Sequence, residues 1–363
     1  MTDRETDLYR LEAYDYELPE SSIAQNPAEP RDSSRLLAWG VRQGVVEHRV
    51  FRDFVDYLNP GDLLVLNDTR VLPARLRGQK TSGGAKVEIL LLSPAVPDYS
   101  CWKALVRPGR RLPEGAAVCV GDRVLHVEGR AEEGVRIVRV GSDRQDVLAF
   151  LDAYGEMPLP PYIKATTSPK EAYQTVFAQK SGSAAAPTAS LHFTKDMLER
   201  IKAKKVDIGW ITLHVGLGTF RPVKSEDIRE HHIHNEFCEI PASTAEAVKK
   251  CRERDGKVVA AGTTVARTLE SGALNDRCVR DGVMDTDLFI YPGYEYKVVD
   301  ALLTNFHLPK SSLLMLVAAL AAHFLKESGE DRDALPEVRK IYEMAVTEGY
   351  RFFSFGDAMF VRG

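Results

Sequence analysis

The sequence predicts an α/β protein: a layered α/β main domain with a small antiparallel β-barrel inserted into it. Between about residues 62 and 141, short runs rich in Val, Ile and Leu are separated by Gly, Pro, Asp or Asn at intervals of roughly ten residues. After Tyr154, strand-like and helix-like segments alternate, which indicates a layered α/β domain. The 363 residues fit two domains of about 100–200 residues each. We therefore expect a main domain at residues 1–61 and 150–363 and a barrel at residues 62–149.

The expected barrel strands follow one another without a long helical pattern until about Asp146. In chain order they are LLVLN from Leu63, ARLRG from Ala74, KVEILLLS from Lys86, WKALVRPG from Trp102, AAVCVGD from Ala116, RVLHVEG from Arg123 and VRIVRVG from Val135. Their spacing is typical of an antiparallel barrel or sandwich.

In the second part of the main domain, an extended, proline-rich PLPPYIK segment precedes the alternating strands and helices. We expect helices over 194–207 with Thr194 as N-cap, over 241–256, after Gly262, from Ser311 or Ser312, and over 335–350. We expect strands at 210–213, 257–261, 286–294, 298–309 and 352–360. Glycines follow the first of these strands, where LHVGLGTF begins at Leu213.

Composition and charge narrow the class of protein. Hydrophobic residues make up 44% and charged residues 28%, which excludes a disordered chain, a collagen-like chain and a small disulfide scaffold. The net charge of −4 excludes a protein that coats nucleic acid non-specifically. Any polyanionic partner must therefore meet a local basic patch.

Residues 70–111 provide such a patch. They hold nine Lys and Arg residues against Glu88 and Asp98, a net charge of +7, so that the rest of the chain carries −11. Contacts to RNA phosphates would explain this polarisation. A solvated barrel surface explains it equally well, and both interpretations stay open.

The cysteines and apolar runs predict a cytoplasmic protein without a membrane segment. The five cysteines contain no C-x-x-C pair and are expected to be free thiols in a reducing cytosol: Cys101, Cys119, Cys238, Cys251 and Cys278. The N-terminal residues are acidic and polar, unlike a signal peptide. The longest apolar run, residues 313–322, is too short to cross a bilayer.

Several segments could approach a ligand. Asp68 and Arg70 follow an apolar strand, although an ordinary turn has the same pattern. The small residues 181–190 would let backbone amides come close to a ligand. A flexible linker would have a similar sequence. The glycine loop after His214 is not a dinucleotide site, because Arg221 stands where the third glycine belongs.

Further along the chain, polar groups cluster near expected strand ends. If 230–237 is a strand, His232, His234 and Glu236 share one face; acid–base work by a His–Glu pair is favoured over zinc, with a structural cluster as the rival. The segment 262–264 opens a helix and predicts an anion or carboxylate site, although plain helix capping explains it too. Asp287 and the 303–309 segment place polar groups at strand ends, where ligands bind in α/β sheets.

Together the motifs resemble one family, the S-adenosylmethionine:tRNA ribosyltransferase-isomerases of queuosine biosynthesis. The resemblance runs from Leu11 to Phe360 in consistent order. It is carried by LxxYDYELPxxxIAQxPxxPRDxSRLL, NDTRVLPARLxG, APTAxLHFT, LHVGLGTF, HxxHNEF, AGTTVARTLES, DTDLFIYPGY, LLTNFHLPKSSLLMLVAA and FFSFGDAMF. The sequence departs locally at residues 232–235, which leaves His232 without an expected role.

The resemblance implies a transferase. The ribosyl part of S-adenosylmethionine passes to the aminomethyl group of 7-aminomethyl-7-deazaguanine at the tRNA wobble position and is isomerised, giving epoxyqueuosine and releasing adenine and methionine. S-adenosylmethionine is then a consumed substrate, and no metal or other cofactor is implied. The partners are this tRNA and S-adenosylmethionine, and a monomer is expected. The alternatives are a non-catalytic tRNA-binding protein and an S-adenosylmethionine-dependent tRNA methyltransferase.

On this resemblance, His234 with Glu236 is the expected acid–base pair, and Asp68 and Asp287 contact the amine, ribose or sulfonium. Gly262, Thr263, Thr264 and Arg267 are candidates for the methionine carboxylate, Asn305 and His307 for a base, and Asp357 for a further contact. The remaining substrate-binding candidates are Arg70, Thr188, His192, His214, Gly216, Gly218, Thr219 and His231. The candidates for tRNA binding are Arg75, Arg77, Arg107, Arg110 and Arg111.

Overall fold

The structure is a computed structural model that describes residues 8–131, 134–164, 166–216, 223–329 and 332–363. The side chains of Arg111 and Lys170 lie outside this description, as do Gly218 and Thr219. The strands are β1 (Arg35–Gly40), β2 (Val45–Val50), β3 (Leu63–Asn67), β4 (Thr69–Val71), β5 (Arg75–Lys80), β6 (Lys86–Pro94), β7 (Cys101–Arg107), β8 (Ala117–Val120), β9 (Arg123–Arg130), β10 (Arg136–Arg139), β11 (Lys180–Ser183), β12 (Asp207–Leu213), β13 (Glu236–Ile240), β14 (Val258–Ala261), β15 (Gly282–Thr286), β16 (Ala301–Asn305) and β17 (Ala358–Arg362). The helices are α1 (Arg144–Tyr154), α2 (Lys195–Ala203), α3 (Ala242–Glu253), α4 (Thr263–Ser271), α5 (Ser312–Ser328) and α6 (Ala334–Thr347).

A nine-stranded sheet forms the body of the protein, in the order β15-β13-β12-β3-β14-β16-β17-β1-β2. Its centre is parallel, because β3 pairs in parallel with both β12 and β14, and β14 pairs in parallel with β16. Along β3, Leu63 and Val65 join one apolar cluster while Leu64 and Leu66 join another. This alternation covers both faces of the sheet and confirms the predicted α/β class.

A second, closed sheet forms the predicted antiparallel barrel, in the order β10-β7-β6-β5-β8-β9. Leu76, Trp102 and Leu125 lie in its core, and Phe150 of α1 packs against the same cluster. The assignment of LLVLN to the barrel is wrong, since these residues form β3 of the large sheet. A fully apolar strand suits a sheet buried on both faces better than a small barrel. The division into domains at residues 62 and 149 stays a prediction.

The helix starts follow the expected caps. The side chain of Thr194 accepts a hydrogen bond from the Met197 amide at the start of α2, and Ser311 caps α5 in the same way through Leu314. In the described part of the chain, no helix is long and apolar enough to span a membrane.

The predicted strand at 286–294 is wrong, and the strand considered for 230–237 forms only from Glu236 onward. Strand β15 ends at Thr286, whose hydroxyl accepts a hydrogen bond from the Leu288 amide. A turn at 291–294 contains Pro292 and Gly293. These two features keep 287–294 out of the sheet. Strand β13 begins only at Glu236, so His232 and His234 precede it and no strand alternation relates them to Glu236.

Candidate active site

Several distant segments of the chain enclose one cavity of about 490 Å³, which we call the inner cavity. It is lined by residues 185–189, 262–264 and 304–313, and by Tyr162, Phe353 and Ser354 among others. Strands β14 and β16 end side by side here, at the carboxyl edge of the parallel strands where α/β sheets bind ligands.

The first turn of α4 faces the inner cavity. Gly262 precedes it with φ +108°, a conformation that favours glycine, and its amide donates to the Leu303 carbonyl at 2.7 Å. Thr263 and Thr264 are buried and line the cavity. The free amides and positive dipole end of this helix can bind an anionic group such as a carboxylate.

A buried network positions Asn305 at the cavity wall. Its amide nitrogen lies 3.3 Å from Nε2 of His192, and its oxygen accepts the Thr188 hydroxyl at 3.1 Å. The other ring nitrogen of His192 lies 2.8 Å from the Ser34 hydroxyl. Burial lowers the pKa of His192 to about 4, so the ring is neutral at physiological pH and acts as a hydrogen-bonding support for Asn305.

His307 lines the same cavity as a neutral ring. Its Nε2 lies 2.8 Å from the Thr304 hydroxyl, and its backbone carbonyl accepts the Tyr16 hydroxyl. Burial lowers the pKa of His307 to about 3. The ring therefore offers directed hydrogen bonding without a charge.

A wider space of about 940 Å³, the outer cleft, lies between the barrel and the edge of the large sheet. Its sheet side is formed by His214, Gly216 and residues 234–237, and its barrel side by residues 92–97 with Lys103. Val215 lines the inner cavity and Gly216 the outer cleft, so the two spaces flank the same segment.

Glu236 and Arg267 form a buried ion pair beneath the outer cleft. The other oxygen of Glu236 accepts the Gly216 amide at 2.9 Å, and Nε of Arg267 donates to the Leu288 carbonyl at 2.9 Å. Glu236 and the exposed His234 line the same cleft, as the predicted acid–base pair requires. The carboxylate is nevertheless held by Arg267 and the chain at Gly216, which is the environment of an anchoring group.

Asp68 is buried where β3 ends. Its carboxylate accepts the Thr212 hydroxyl at 2.6 Å, and burial raises its pKa. The neighbouring Thr69 hydroxyl lies 2.8 Å from Nδ1 of His214, whose pKa burial lowers to about 4.

A family model described as "Queuosine biosynthesis protein" matches residues 11–361. The chain belongs to this family. The resemblance drawn from the sequence motifs is therefore confirmed, and several of those motifs line the inner cavity or the sheet side of the outer cleft.

Relatives of this family resemble the chain over nearly its full length. Proteins named S-adenosylmethionine:tRNA ribosyltransferase-isomerase from Moorella thermoacetica and Desulfitobacterium hafniense are 49% and 48% identical to it, each over 97% of this chain and 99% of the relative. A crystal structure of S-adenosylmethionine tRNA ribosyltransferase from Thermotoga maritima is 38% identical, with a TM-score of 0.54, and covers 96% of this chain and 99% of its own.

Other residues named from the family motifs lie apart from both spaces, within the described chain. Asp287 and Arg70 are exposed, and His231 is half-buried against the Phe289 ring. Asp357 is buried, but it binds Arg351 and the Arg35 amide and so has a structural environment. Arg267 lies away from the inner cavity, because its ion pair turns it toward Glu236. Gly218 and Thr219 lie outside the described residues.

The arginines named for tRNA binding belong to the barrel segment of the chain. Arg75 and Arg77 lie on β5, Arg107 ends β7, and Arg110 and Arg111 follow it. On the outer surface, the register places Glu88 between Arg77 and Arg107. Arg77 also bonds Glu156 at 3.1 Å, and the half-buried Arg75 donates to the Leu159 carbonyl, so these two are partly engaged within the protein. Arg107 and Arg110 are exposed.

The metal interpretation finds no support in the described residues, where no group of three or more His, Cys, Asp or Glu side chains is placed to hold an ion. Sequence reasoning missed Tyr162, Lys310 and Phe353 at the inner cavity and Phe237 at the outer cleft. The positive φ values of Lys310 and Phe353, +55° and +71°, are uncommon for such residues and have no clear signature in sequence.

Proposed function

We propose that this chain transfers the ribosyl part of S-adenosylmethionine to the aminomethyl group of 7-aminomethyl-7-deazaguanine at the wobble position of tRNA. The ribose is isomerised to the epoxycyclopentane of epoxyqueuosine, and adenine and methionine are released. One observation carries this proposal: residues of five family motifs, scattered over residues 185–354, converge on an inner cavity that adjoins a cleft bounded by the barrel. The names of the relatives support the same reaction.

The inner cavity is the proposed S-adenosylmethionine site. Its volume of about 490 Å³ lies in the usual range for a pocket that encloses a small ligand. The first-turn amides of α4, with Thr263 and Thr264, would bind the methionine carboxylate. Asn305 and His307 would hydrogen-bond the adenine. Both side chains are uncharged, which suits contacts to a base that is released as neutral adenine.

The outer cleft is the proposed place where the deazaguanine amine meets the ribosyl group. Removing the hydrogen next to the sulfonium requires a base. His234 is the proposed base, since it is exposed in the cleft, and Glu236 is proposed to hold the Gly216 segment between the two spaces. Asp68 and His214 are proposed to support this edge of the sheet.

Other properties of the protein also remain proposals. We propose a cytoplasmic monomer without a resident cofactor. All five cysteines are free thiols, as is usual for proteins of a reducing compartment. Light scattering of the purified chain tests the monomer, and full activity after exhaustive dialysis against a chelator tests the absence of a required metal.

The reaction is tested by incubating the chain with labelled S-adenosylmethionine and tRNA that carries 7-aminomethyl-7-deazaguanine. The proposal predicts adenine and methionine in equal amounts, together with a tRNA that has gained the ribosyl group. Release of S-adenosylhomocysteine would instead indicate a methyltransferase, and tRNA binding without a small product would indicate a binding protein. A tRNA with unmodified guanine at the wobble position is the control and should give no turnover.

A further inference from the structure

Two aromatic rings are stacked on the sheet side of the outer cleft. The rings of His214 and Phe237 lie 5.3 Å apart between centroids at an interplanar angle of 17°. The backbone joins them as well, since the His214 amide donates to the Phe237 carbonyl at 3.0 Å. Phe237 is 39% exposed, although its neighbours Glu236 and Cys238 are buried. Because its ring is stacked on His214 and lines the outer cleft, Phe237 offers a flat aromatic surface to a ligand there.

The His214 ring is held in place by contacts with Gly182 and Thr69. A Cβ on Gly182 would lie 2.5 Å from its Nε2, so the ring rests directly on a backbone that has no side chain. The Thr69 hydroxyl holds Nδ1 at 2.8 Å. Gly182, His214 and Phe237 all line the outer cleft, with the His214 ring in contact with both of the others, and we call them the aromatic platform.

The platform has a neutral surface, and Lys103 of the barrel faces it across the cleft. Burial, assisted by nearby Lys180 and Arg144 and opposed by Glu239, lowers the pKa of His214 to about 4, so the stacked ring is neutral at physiological pH. Lys103 lines the cleft beside the apolar residues Leu92, Pro94 and Val96 of the barrel. A flat aromatic surface is thus faced by an apolar wall with Lys103 beside it, whereas Lys180 is paired with Glu239 and Asp285 lies opposite Phe237 on β15.

We propose that Phe237 stacks on an unpaired nucleobase of the tRNA anticodon loop. Proteins read single-stranded RNA by stacking splayed bases on aromatic side chains beside cations that meet the phosphates. The inference rests on the proposed function, because that function brings an anticodon loop to this cleft. The adenine of S-adenosylmethionine is excluded as the base by the same scheme, since it occupies the inner cavity.

The test measures the binding of a fluorescent anticodon stem–loop RNA by anisotropy, without turnover. Phe237→Leu, which keeps apolar bulk but loses the ring, should weaken binding about ten-fold, and Phe237→Trp should restore it. Gly182→Ala should also weaken binding by displacing His214. Val283→Ala, at an exposed apolar position of the neighbouring strand β15, is the control and should have no effect.

Two further measurements separate stacking from general damage. The slope of log affinity against log salt should be the same for Phe237→Leu and the wild type, because no ionic contact is lost. The KM for S-adenosylmethionine should also be unchanged. Unaltered RNA affinity in Phe237→Leu, or a rise confined to the KM for S-adenosylmethionine, would overturn the inference. If the wild type binds RNA through Phe237 but releases no adenine, the proposed function fails and this inference stands.

Discussion

The buried ion pair of Glu236 and Arg267 joins β13 to α4 beneath the outer cleft. Both side chains are almost fully buried, so neither charge is solvated when its partner is removed. Sequence reasoning selected both residues for chemistry but could not pair them, because 31 positions separate them.

Arg267→Ala should therefore lower the free energy of unfolding by about 3–5 kcal/mol, as expected when one partner of a buried pair is lost. Urea denaturation measures this change. Arg254→Ala is the matched control, since Arg254 pairs with Asp207 in an exposed bridge of 2.5 Å, and should cost less than about 1 kcal/mol. Equal losses in the two variants would contradict the buried pair.

His307 predicts a pH dependence of stability. Its pKa falls from the ordinary 6.5 to about 3 on folding, so acidification from about pH 6.5 toward 4 protonates the unfolded chain and not the folded one. The free energy of unfolding therefore falls over this range, by up to about 1.4 kcal/mol per pH unit from this group. His192 and His214 act in the same direction, whereas the raised pKa of Asp68 acts in the opposite one.

His307→Gln should reduce that slope, because glutamine cannot take up the proton, while its amide can still reach the Thr304 hydroxyl. Thermal or urea unfolding at a series of pH values between 4 and about 7 gives the slope. Identical slopes for variant and wild type would show that His307 is not buried in its neutral form.

At the level of elements, Gly262 joins β14 to α4. It has a positive φ and also lines the inner cavity. A Cβ there would meet its nearest neighbours at 3.7 Å, so there is space for a methyl group, and the cost comes from φ +108°. Gly262→Ala should lower the free energy of unfolding by about 1–3 kcal/mol and raise the KM for S-adenosylmethionine, because the α4 amides shift.

Gly83 provides the control for Gly262. It has φ +84° in the turn between β5 and β6, with nothing within 4 Å of a built Cβ, and it lies far along the barrel from the inner cavity. Gly83→Ala should lose stability without a change in the KM for S-adenosylmethionine. A raised KM in Gly83→Ala would mean that lost stability alone explains the effect at Gly262.

The elements that sequence patterns predicted well are those whose pattern is local. The cap of α2 at Thr194 and the barrel strands from β5 to β10 depend on neighbouring residues, and they were found in place. Strand β3 was placed in the wrong sheet because an apolar run does not state which neighbours it pairs with. Segment 287–294 was wrongly predicted as a strand because it is rich in apolar residues. Those residues pack against the core without joining a sheet.

The candidate site was predictable in its membership more than in its geometry. The motifs named Thr188, Thr264 and Asn305, which do meet at the inner cavity. Nothing in the sequence separated them from Asp357, whose buried carboxylate serves Arg351 instead. Contacts between residues far apart in the chain decide which polar groups face a ligand, and a single sequence does not record them.

At the scale of the whole molecule, residues 70–111 carry a net charge of +7 and the rest of the chain carries −11. Reversing Arg107, Arg110 and Arg111 to Glu should weaken tRNA binding strongly and flatten its salt dependence, because phosphate contacts release counterions. Filter binding over a salt series measures both. Reversal of three exposed cations on α2, α3 and α6, Lys195, Lys249 and Arg339, changes the net charge equally and should have a smaller effect. Equal effects would place the tRNA elsewhere.

The central claim is that the two substrates occupy two adjoining spaces, S-adenosylmethionine the inner cavity and tRNA the outer cleft. The most direct test is steady-state adenine release with both substrates varied, for Gly262→Ala and for Phe237→Leu. The account predicts a raised KM for S-adenosylmethionine alone in the first variant and for tRNA alone in the second. If both variants raised the KM for the same substrate, the division of the site would be contradicted.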